Sequence, residues 1–195
     1  ARKKIKNYGL THVEVLEASA ENIPLADHLA DLIVSNLGIN NFEHPAVVFK
    51  ECRRVLKPGG KIALTTNLNG HWNEFYDIFE TSLGQLDKHN LIAALTEHRE
   101  HRGTVQSVSQ LFSENGFRVG RHYEEQFEMK FLDGSAFLNH YFIKLGWLTS
   151  WKNLFPPDEL TEIFMALEEN LNSYANENGG LTLTVPMLFM EGEKE

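Results

Sequence analysis

The stretch Arg54-Val55-Leu56-Lys57-Pro58-Gly59-Gly60-Lys61-Ile62 joins a helix to a strand through a sharp turn. Upstream of the turn, apolar residues recur at helical spacing over 45–56, and Pro45 suits the first turn of a helix. Downstream of it, 61–66 is typical of a strand, and a shorter apolar run, 32–34, predicts another strand, buried on both faces. Strand, helix and strand in this order predict a parallel α/β sheet.

The flanking segments continue the alternation of helix and strand. At the start, the pattern predicts the end of a helix over 1–8, stopped by Gly9, and a short strand over 13–16. In the second half, apolar residues at helical spacing predict three further helices. One is capped by Thr104, one is capped by Ser135, and one begins at Pro156. The last strand is predicted over 181–190, with an edge position or a bulge at Pro186.

Composition restricts the class of protein. The chain has 195 residues, enough for one domain, and its net charge of −9 gives no electrostatic footprint for nucleic acid. No apolar run could cross a bilayer, no signal peptide is evident, and the single cysteine, Cys52, excludes an intrachain disulfide. The nine histidines show no zinc-site spacing, so no metal is expected. We therefore expect a cytoplasmic protein without a nucleic-acid or membrane partner; the sequence does not indicate its oligomeric state.

Three pieces of the first 66 residues carry the functional signal. They are Ala18-Ser19-Ala20-Glu21-Asn22-Ile23-Pro24-Leu25, Asp31-Leu32-Ile33-Val34-Ser35-Asn36-Leu37, and the turn at Arg54 to Gly60. In an open α/β sheet, ligands bind beyond the carboxyl ends of the strands, where the first two pieces place short polar residues. In this order and spacing the pieces resemble the class I S-adenosylmethionine-dependent methyltransferases that act on small molecules.

The resemblance implies a fold and a cofactor site. The fold is a Rossmann-like, mostly parallel sheet with an antiparallel last strand, forming one domain over 1–195 with helical insertions at 67–102 and 132–178 that cover the substrate. Ser19 would accept a hydrogen bond from the adenine amino group, more weakly than the aspartate usual in the family. The Ala20 N–H would meet an adenine ring nitrogen, and Glu21 would flank the adenine. The fourth-strand end would lie beside the methionine part of the cofactor through Ser35, Asn36 and Leu37.

The sequence departs from this family at its start. It holds no glycine-rich loop and no acidic residue ending a second strand, because it opens inside the helix that follows that strand. We infer that the first two strands lie in an N-terminal segment missing from this chain, since without them the strand at 13–16 would have no neighbour. A rearranged or domain-swapped sheet is the alternative.

Substrate-side candidates lie in the second half. His71 and Trp72 follow the fifth strand of the family's fold, so His71 is a candidate general base, or a partly exposed residue at a helix start. Tyr141 lies in an insertion of the kind that forms substrate lids, or belongs to a core stripe. The aromatic residues of 131–155 would build either a small core or an apolar pocket.

The resulting hypothesis is methyl transfer from S-adenosylmethionine to a small-molecule acceptor. No catalytic residue is identified, because alignment of the nucleophile and exclusion of water suffice for this reaction. The alternatives are a non-catalytic partner or regulatory module that has lost cofactor binding, and another α/β enzyme such as a nicotinamide dehydrogenase.

Overall fold

One four-stranded sheet and nine α-helices form the structure, a computed structural model that describes all residues from Ala1 to Glu195. In chain order the elements are α1 (Arg2–Asn7), β1 (Ala30–Asn36), α2 (Pro45–Val55), β2 (Leu56–Asn67), α3 (Asn73–Gln85), α4 (Ile92–Glu100), α5 (Val105–Glu114), β3 (Phe117–Phe131), α6 (Gly134–Asn139), α7 (Tyr141–Gly146), α8 (Leu148–Lys152), α9 (Leu160–Asn178) and β4 (Leu181–Lys194). Short 3-10 helices lie at Ile39–Asn41 and His89–Leu91.

The sheet has the strand order β1-β2-β4-β3. β1 enters parallel to β2, with the Leu29 amide donating to the Val55 carbonyl over 2.8 Å. β4 runs antiparallel to its neighbours, which confirms the predicted α/β sheet with a reversed last strand. The helix over 45–56 is confirmed as α2, and the strand after the Lys-Pro-Gly-Gly turn as β2, which already includes that turn.

The N-terminal part of the prediction is wrong in two places. No strand forms over 13–16, where the chain runs extended without ladder partners, and Val13 and Leu16 are exposed. β1 forms as an edge strand, but it is not buried on both faces: Leu32 is 56% exposed and Val34 68%. A face of a sheet is buried by the layer that packs on it, and the face of β1 that carries Leu32 and Val34 is exposed.

Pro186 does not lie at an edge, since β4 is an inner strand between β2 and β3. The alternation of buried and part-exposed residues along β4 slips by one at Pro186 and Met187, and then resumes with Leu188 buried. Two successive residues on one face are typical of a bulge, which accommodates a residue without an N–H donor. The Pro186 carbonyl still accepts the Leu68 amide.

The chain divides into two compact units. Unit 1 comprises Ala1–Leu64, Ser109–Arg121 and Met190–Glu195. Its core lies on one face of α2, where Phe49 packs edge-on against Phe112 and Phe117, with ring centroids 5.0 and 6.0 Å away. Gly192 makes close approach possible, because a Cβ there would lie 2.5 Å from the Phe112 ring.

Unit 2 comprises Thr65–Val108 and His122–Phe189, and its core is largely aromatic. α3 and α6 both pack on α9, and Trp151 lies 4.4 Å from Phe75 between ring centroids. Completely buried aromatic residues shared by this core are Trp72, Phe75, Phe79, Phe137 and Trp151. Most aromatic residues of 131–155 therefore build a core, as one of the two interpretations of the sequence proposed.

The helix predicted after Ser135 is interrupted. Asp133, not Ser135, caps α6, its carboxylate accepting the Ala136 amide over 2.7 Å. His140 then takes an extended conformation and caps α7, its Nδ1 facing the Phe142 amide at 3.3 Å. Ser135 is instead hydrogen-bonded to Glu168 of α9.

Candidate functional site

The loop that carries the predicted adenine-side residues is fastened to α2 by one arginine. The Arg54 guanidinium donates to the carbonyl oxygens of Ile23 and Leu25 over 2.9 and 2.8 Å. It also donates to the carboxylates of Asp27 and Glu51, each over 2.6 Å at the closest. Four acceptors on one planar guanidinium fix the loop against the last turn of α2.

Glu51 completes this anchor. One of its carboxylate oxygens accepts the Ile23 amide over 2.8 Å while the carboxylate accepts from Arg54. The hydrogen bond from Arg54 holds the pKa of the Glu51 carboxyl below its usual value, against the opposing effect of burial. The same pairing, with Asp27 as second partner, raises the pKa of Arg54. Both groups therefore stay charged throughout the ordinary pH range.

Ser19, Ala20 and Glu21 lie in a turn at the start of this loop. The Ser19 hydroxyl accepts the Glu21 amide over 3.1 Å, and the Ser19 carbonyl accepts the Asn22 amide. Ser19 is exposed, whereas Ala20 and Glu21 are half-buried. The Ala20 N–H makes no hydrogen bond within the protein, so it is available as a donor.

Ser35, Asn36 and Leu37 lie where β1 ends. Leu37 has a left-handed φ of 57°, and its carbonyl accepts the Asn41 side-chain amide over 3.1 Å. A Cβ on Gly38 would lie 2.6 Å from the Ser35 hydroxyl oxygen, so a larger residue would force the Ser35 side chain to rotate. Asn36 and Leu37 are exposed and Ser35 is half-buried.

Both predicted cofactor groups belong to unit 1. Arg54 draws the far end of the loop, Ile23 to Asp27, to the last turn of α2, whereas Ser35 to Leu37 lie at the carboxyl end of β1. The two predicted cofactor groups are therefore held by separate sets of contacts. A crevice shared by Ser19 and Asn36 remains a prediction.

His71 and Trp72 belong to unit 2 and are buried rather than partly exposed. Their rings stack with centroids 4.5 Å apart. Burial lowers the pKa of His71 to about 3, and the nearby charges of Arg102 and His101 act in the same direction. A neutral imidazole with so low a pKa is a weak base in this state.

Trp72 has a conformation that bulky residues rarely adopt. Its φ of 59° lies in the left-handed region, and its amide donates to the Thr184 carbonyl over 2.8 Å. Glu74, in the first turn of α3, fixes the same strand by accepting the Thr184 amide over 3.0 Å. Strained backbone of this kind is concentrated at functional sites.

Tyr141 is 78% exposed, so its assignment to a core stripe is wrong. The interruption at His140 turns α7 so that Ile143, not Tyr141, is the buried residue of that helix. The remaining interpretation, a residue of a substrate cover, stays a prediction.

Sequence reasoning missed two residues. Arg54 was seen as part of a structural turn, without its four loop contacts, and Arg102 was not singled out although it is buried. Both are arginines near helix ends, where a solvated side chain is the ordinary expectation. Only the tertiary structure distinguishes these two arginines from solvated ones: Arg54 by its contacts to a distant loop, and Arg102 by its burial. No group of three His, Cys, Asp or Glu side chains lies close enough to hold a metal ion, and no helix combines the length and apolarity needed to span a membrane.

Comparison with known proteins assigns the N-terminal third. Residues 1–64 match a family described as methyltransferase domain. This part of the chain is therefore similar to methyltransferase domains. Its residues include the Arg54–Glu51 anchor and both predicted cofactor groups.

Two curated relatives agree with this assignment. A demethylmenaquinone methyltransferase from Bacillus velezensis is 38% identical over 60 residues, covering 31% of this chain and 26% of the relative. A ubiquinone/menaquinone biosynthesis C-methyltransferase from Cupriavidus metallidurans is 33% identical over 81 residues, covering 40% and 32%. The chain thus matches only about a quarter to a third of the length of these relatives.

A solved structure extends the likeness to the whole fold. A candidate methyltransferase from Bacillus halodurans superposes with a TM-score of 0.58 at 18% identity, covering 99% of this chain and 76% of that one. The methyltransferase assignment by sequence therefore rests on residues 1–64, and beyond them the structural neighbour supports the Rossmann-like fold alone.

Proposed function

We propose that the protein transfers a methyl group from S-adenosylmethionine to a small-molecule acceptor. The observation that carries the proposal is the methyltransferase-domain match over 1–64, the segment that holds both predicted cofactor groups. The curated relatives are named for methyl transfer, which supports the same reaction. No observation favours a non-catalytic module.

The residues of the loop fit the cofactor. The unused Ala20 N–H could donate to a ring nitrogen of adenine, as a backbone donor does in many nucleotide sites. The Ser19 hydroxyl oxygen already accepts the Glu21 amide, and its second lone pair could accept a hydrogen bond from the adenine amino group. When bound, the cofactor supplies an activated methyl group on a sulfonium.

The residues of the chain hold the cofactor and align the acceptor nucleophile with its methyl group. The acceptor nucleophile must approach the methyl carbon in line with the bond that breaks, and its attack forms a carbon–nucleophile bond while the sulfur keeps the electron pair. Arg54 and Glu51 supply rigidity, because they fix the adenine-side loop through its backbone. Exclusion of water and alignment provide the catalysis that a dedicated base would otherwise give.

The acceptor is proposed only as a class. The two relatives are named for quinone methylation, but the family match ends at residue 64, before unit 2 begins. A net charge of −9 opposes binding of a nucleic acid, and the names of the relatives support a small molecule as the acceptor.

Titration calorimetry with S-adenosylhomocysteine tests the proposal in the full-length protein. We expect saturable heat, reduced by Ala20→Pro, which removes the donor N–H, and unchanged by Ala18→Pro in the same loop. Transfer of a labelled methyl group to an extract of small molecules tests the reaction itself. Absence of binding in the full-length protein refutes the proposal, and binding without transfer to any acceptor supports a regulatory module instead.

A further inference from the structure

Arg102 is a buried cation without a counter-ion. Its side chain is 7% exposed, and neither its Nε nor its Nη1 has a hydrogen-bond partner. None of the ion pairs of the protein includes it. A guanidinium is charged at every accessible pH, and a buried charge without a partner is costly. The site is therefore built for a negative group.

Two neighbouring residues share this lack of partners. Both ring nitrogens of His71 and the indole Nε1 of Trp72 are buried and unpaired. The backbone brings them near Arg102, because the Asn69 amide donates to the Gly103 carbonyl over 3.0 Å. Buried polar groups are rarely left unsatisfied, so three in one region indicate an absent ligand.

Charged side chains of both signs lie on or near α4 beside this group: Arg99 pairs with Asp77, and Glu97 lines the same cleft as His98. Burial lowers the pKa of the His71 and His98 imidazoles, that of His98 to about 4, and the nearby Arg102 and His101 act in the same direction. The carboxylate nearest in the chain to the start of α3 is engaged elsewhere, since Glu74 accepts from Thr184. None of these carboxylates forms an ion pair with Arg102.

We propose that His71, Trp72 and Arg102 bind the carboxylate of a small organic molecule, and, on the basis of the proposed function, that this molecule is the methyl acceptor. One obligate positive charge matches a monoanion better than a phosphate dianion. Donors on three separate side chains match two acceptor oxygens better than the single oxygen of a phenolate.

The surroundings define the rest of the ligand. Trp72 lies 5.1 Å from Trp147 and 5.6 Å from Phe137 between ring centroids, so the wall beyond the donors is aromatic. An open cleft of about 350 Å³ lies on the neighbouring helix surface, lined by Ala94, Glu97, His98, His101 and Leu154. We therefore expect an aromatic or otherwise apolar body attached to the carboxylate.

Benzoate serves as the probe, with benzamide as its neutral isostere. We expect benzoate to shift the His71 imidazole and Trp72 indole N–H resonances in NMR spectra of the protein, and benzamide not to. Arg102→Met should weaken benzoate binding at least about tenfold, since the carboxylate would lose its charged partner. Lys144→Met, on the exposed side of α7, removes the same charge without effect.

Thermal unfolding separates a ligand site from a structural arginine. In the absence of ligand, Arg102→Met should raise the Tm, because it removes an uncompensated buried charge, and Arg102→Lys should retain part of the benzoate affinity. A lowered Tm in both variants with unchanged benzoate resonances would overturn the inference. So would equal shifts from benzamide, or from chloride alone.

Cofactor binding keeps the two proposals apart. Heat from S-adenosylhomocysteine with no response to benzoate refutes the carboxylate site and leaves methyl transfer standing. A benzoate response without S-adenosylhomocysteine binding refutes methyl transfer and leaves the carboxylate site as a binding site.

Discussion

The Arg54 guanidinium lies 2.6 Å from a carboxylate oxygen of Glu51. Together the two side chains bind the backbone of a loop that begins some thirty residues earlier in the chain. Arg54 binds two carbonyl oxygens of the loop and Glu51 binds the Ile23 amide. The motif Arg54 to Gly60 therefore does more than form a turn between α2 and β2. Its first residue, Arg54, also positions the loop proposed to bind the adenine.

Replacing Arg54 by methionine should loosen this loop. Two loop carbonyls and two carboxylates lose their donor, and Glu51 keeps a half-buried charge without its partner. We expect a lower unfolding free energy and faster hydrogen exchange at the Ile23 amide. Arg53→Met is the matched control, since Arg53 donates only to the Glu195 carbonyl. Equal exchange rates at Ile23 in both variants would contradict the anchor.

Local patterns predicted most of the elements because the interactions that form them are local. The stripe on α2, the Thr104 cap and Gly179, which ends α9 with a φ of 72°, all depend on residues a few positions apart. The antiparallel last strand followed from the resemblance, not from any of these signals. Strand order is set by long-range pairing, which no short window contains.

The errors share a physical cause. Leu32 and Val34 are as apolar as residues of a buried strand, but their exposure depends on which elements pack on that face of β1. Pro186 was expected at an edge or at a bulge, and of these two the bulge agrees with its place in an inner strand. His140 interrupts a helix whose apolar spacing is continuous, so periodicity alone could not reveal the break.

Family motifs indicated the candidate residues of the cofactor side, and on the proposed acceptor side His71 and Trp72 were predicted but Arg102 was missed. Ser19 to Glu21 and Ser35 to Leu37 carry family motifs, so their positions could be proposed. Arg102 follows a run of charged residues, Glu97 to His101, that is typical of a solvated helix end. Its burial results from tertiary packing, which the sequence does not encode in any local pattern.

Cys52 should be unreactive in the folded protein. It lies in the core beside Phe49, and burial raises the pKa of its thiol to about 11. At mildly alkaline pH, about three units below this pKa, only about one thiol in a thousand would be thiolate. Alkylation by iodoacetamide should therefore follow global unfolding and become fast in denaturant. Because Cys52 is the only cysteine, mass spectrometry of the whole protein measures its alkylation directly. Rapid labelling of the native protein would contradict the burial of Cys52.

Acid should destabilise the protein through His71. Its pKa of about 3 in the folded state lies below the 6.5 of a free imidazole, so the unfolded chain binds the proton more readily. Stability is therefore full above about pH 6.5 and falls as pH decreases towards 3, by up to about 1.4 kcal/mol per pH unit. Urea unfolding across this range measures the slope.

His71→Phe isolates that contribution while keeping a ring to stack on Trp72. The variant should lose less stability between about pH 6.5 and about pH 4.5 than the parent, by roughly 2–3 kcal/mol. His98 contributes in the same direction and remains in both proteins. His122→Phe, at an exposed position of β3, should leave the slope unchanged. Parallel curves for the parent and His71→Phe would show that His71 is solvated.

Gly134 should not tolerate alanine, because α6 packs on α9 at that point. A Cβ on Gly134 would lie 2.4 Å from the Leu171 Cβ and 3.2 Å from the Glu168 carbonyl oxygen, both on a long helix that cannot shift locally. Gly134→Ala should therefore cost about 1–3 kcal/mol in unfolding free energy. Gly146→Ala is the control, since nothing lies within 4 Å of its Cβ position and α7 should gain about 0.5–1 kcal/mol. Denaturant unfolding of both variants decides the matter: a neutral Gly134→Ala would mean that α6 and α9 do not pack at this distance.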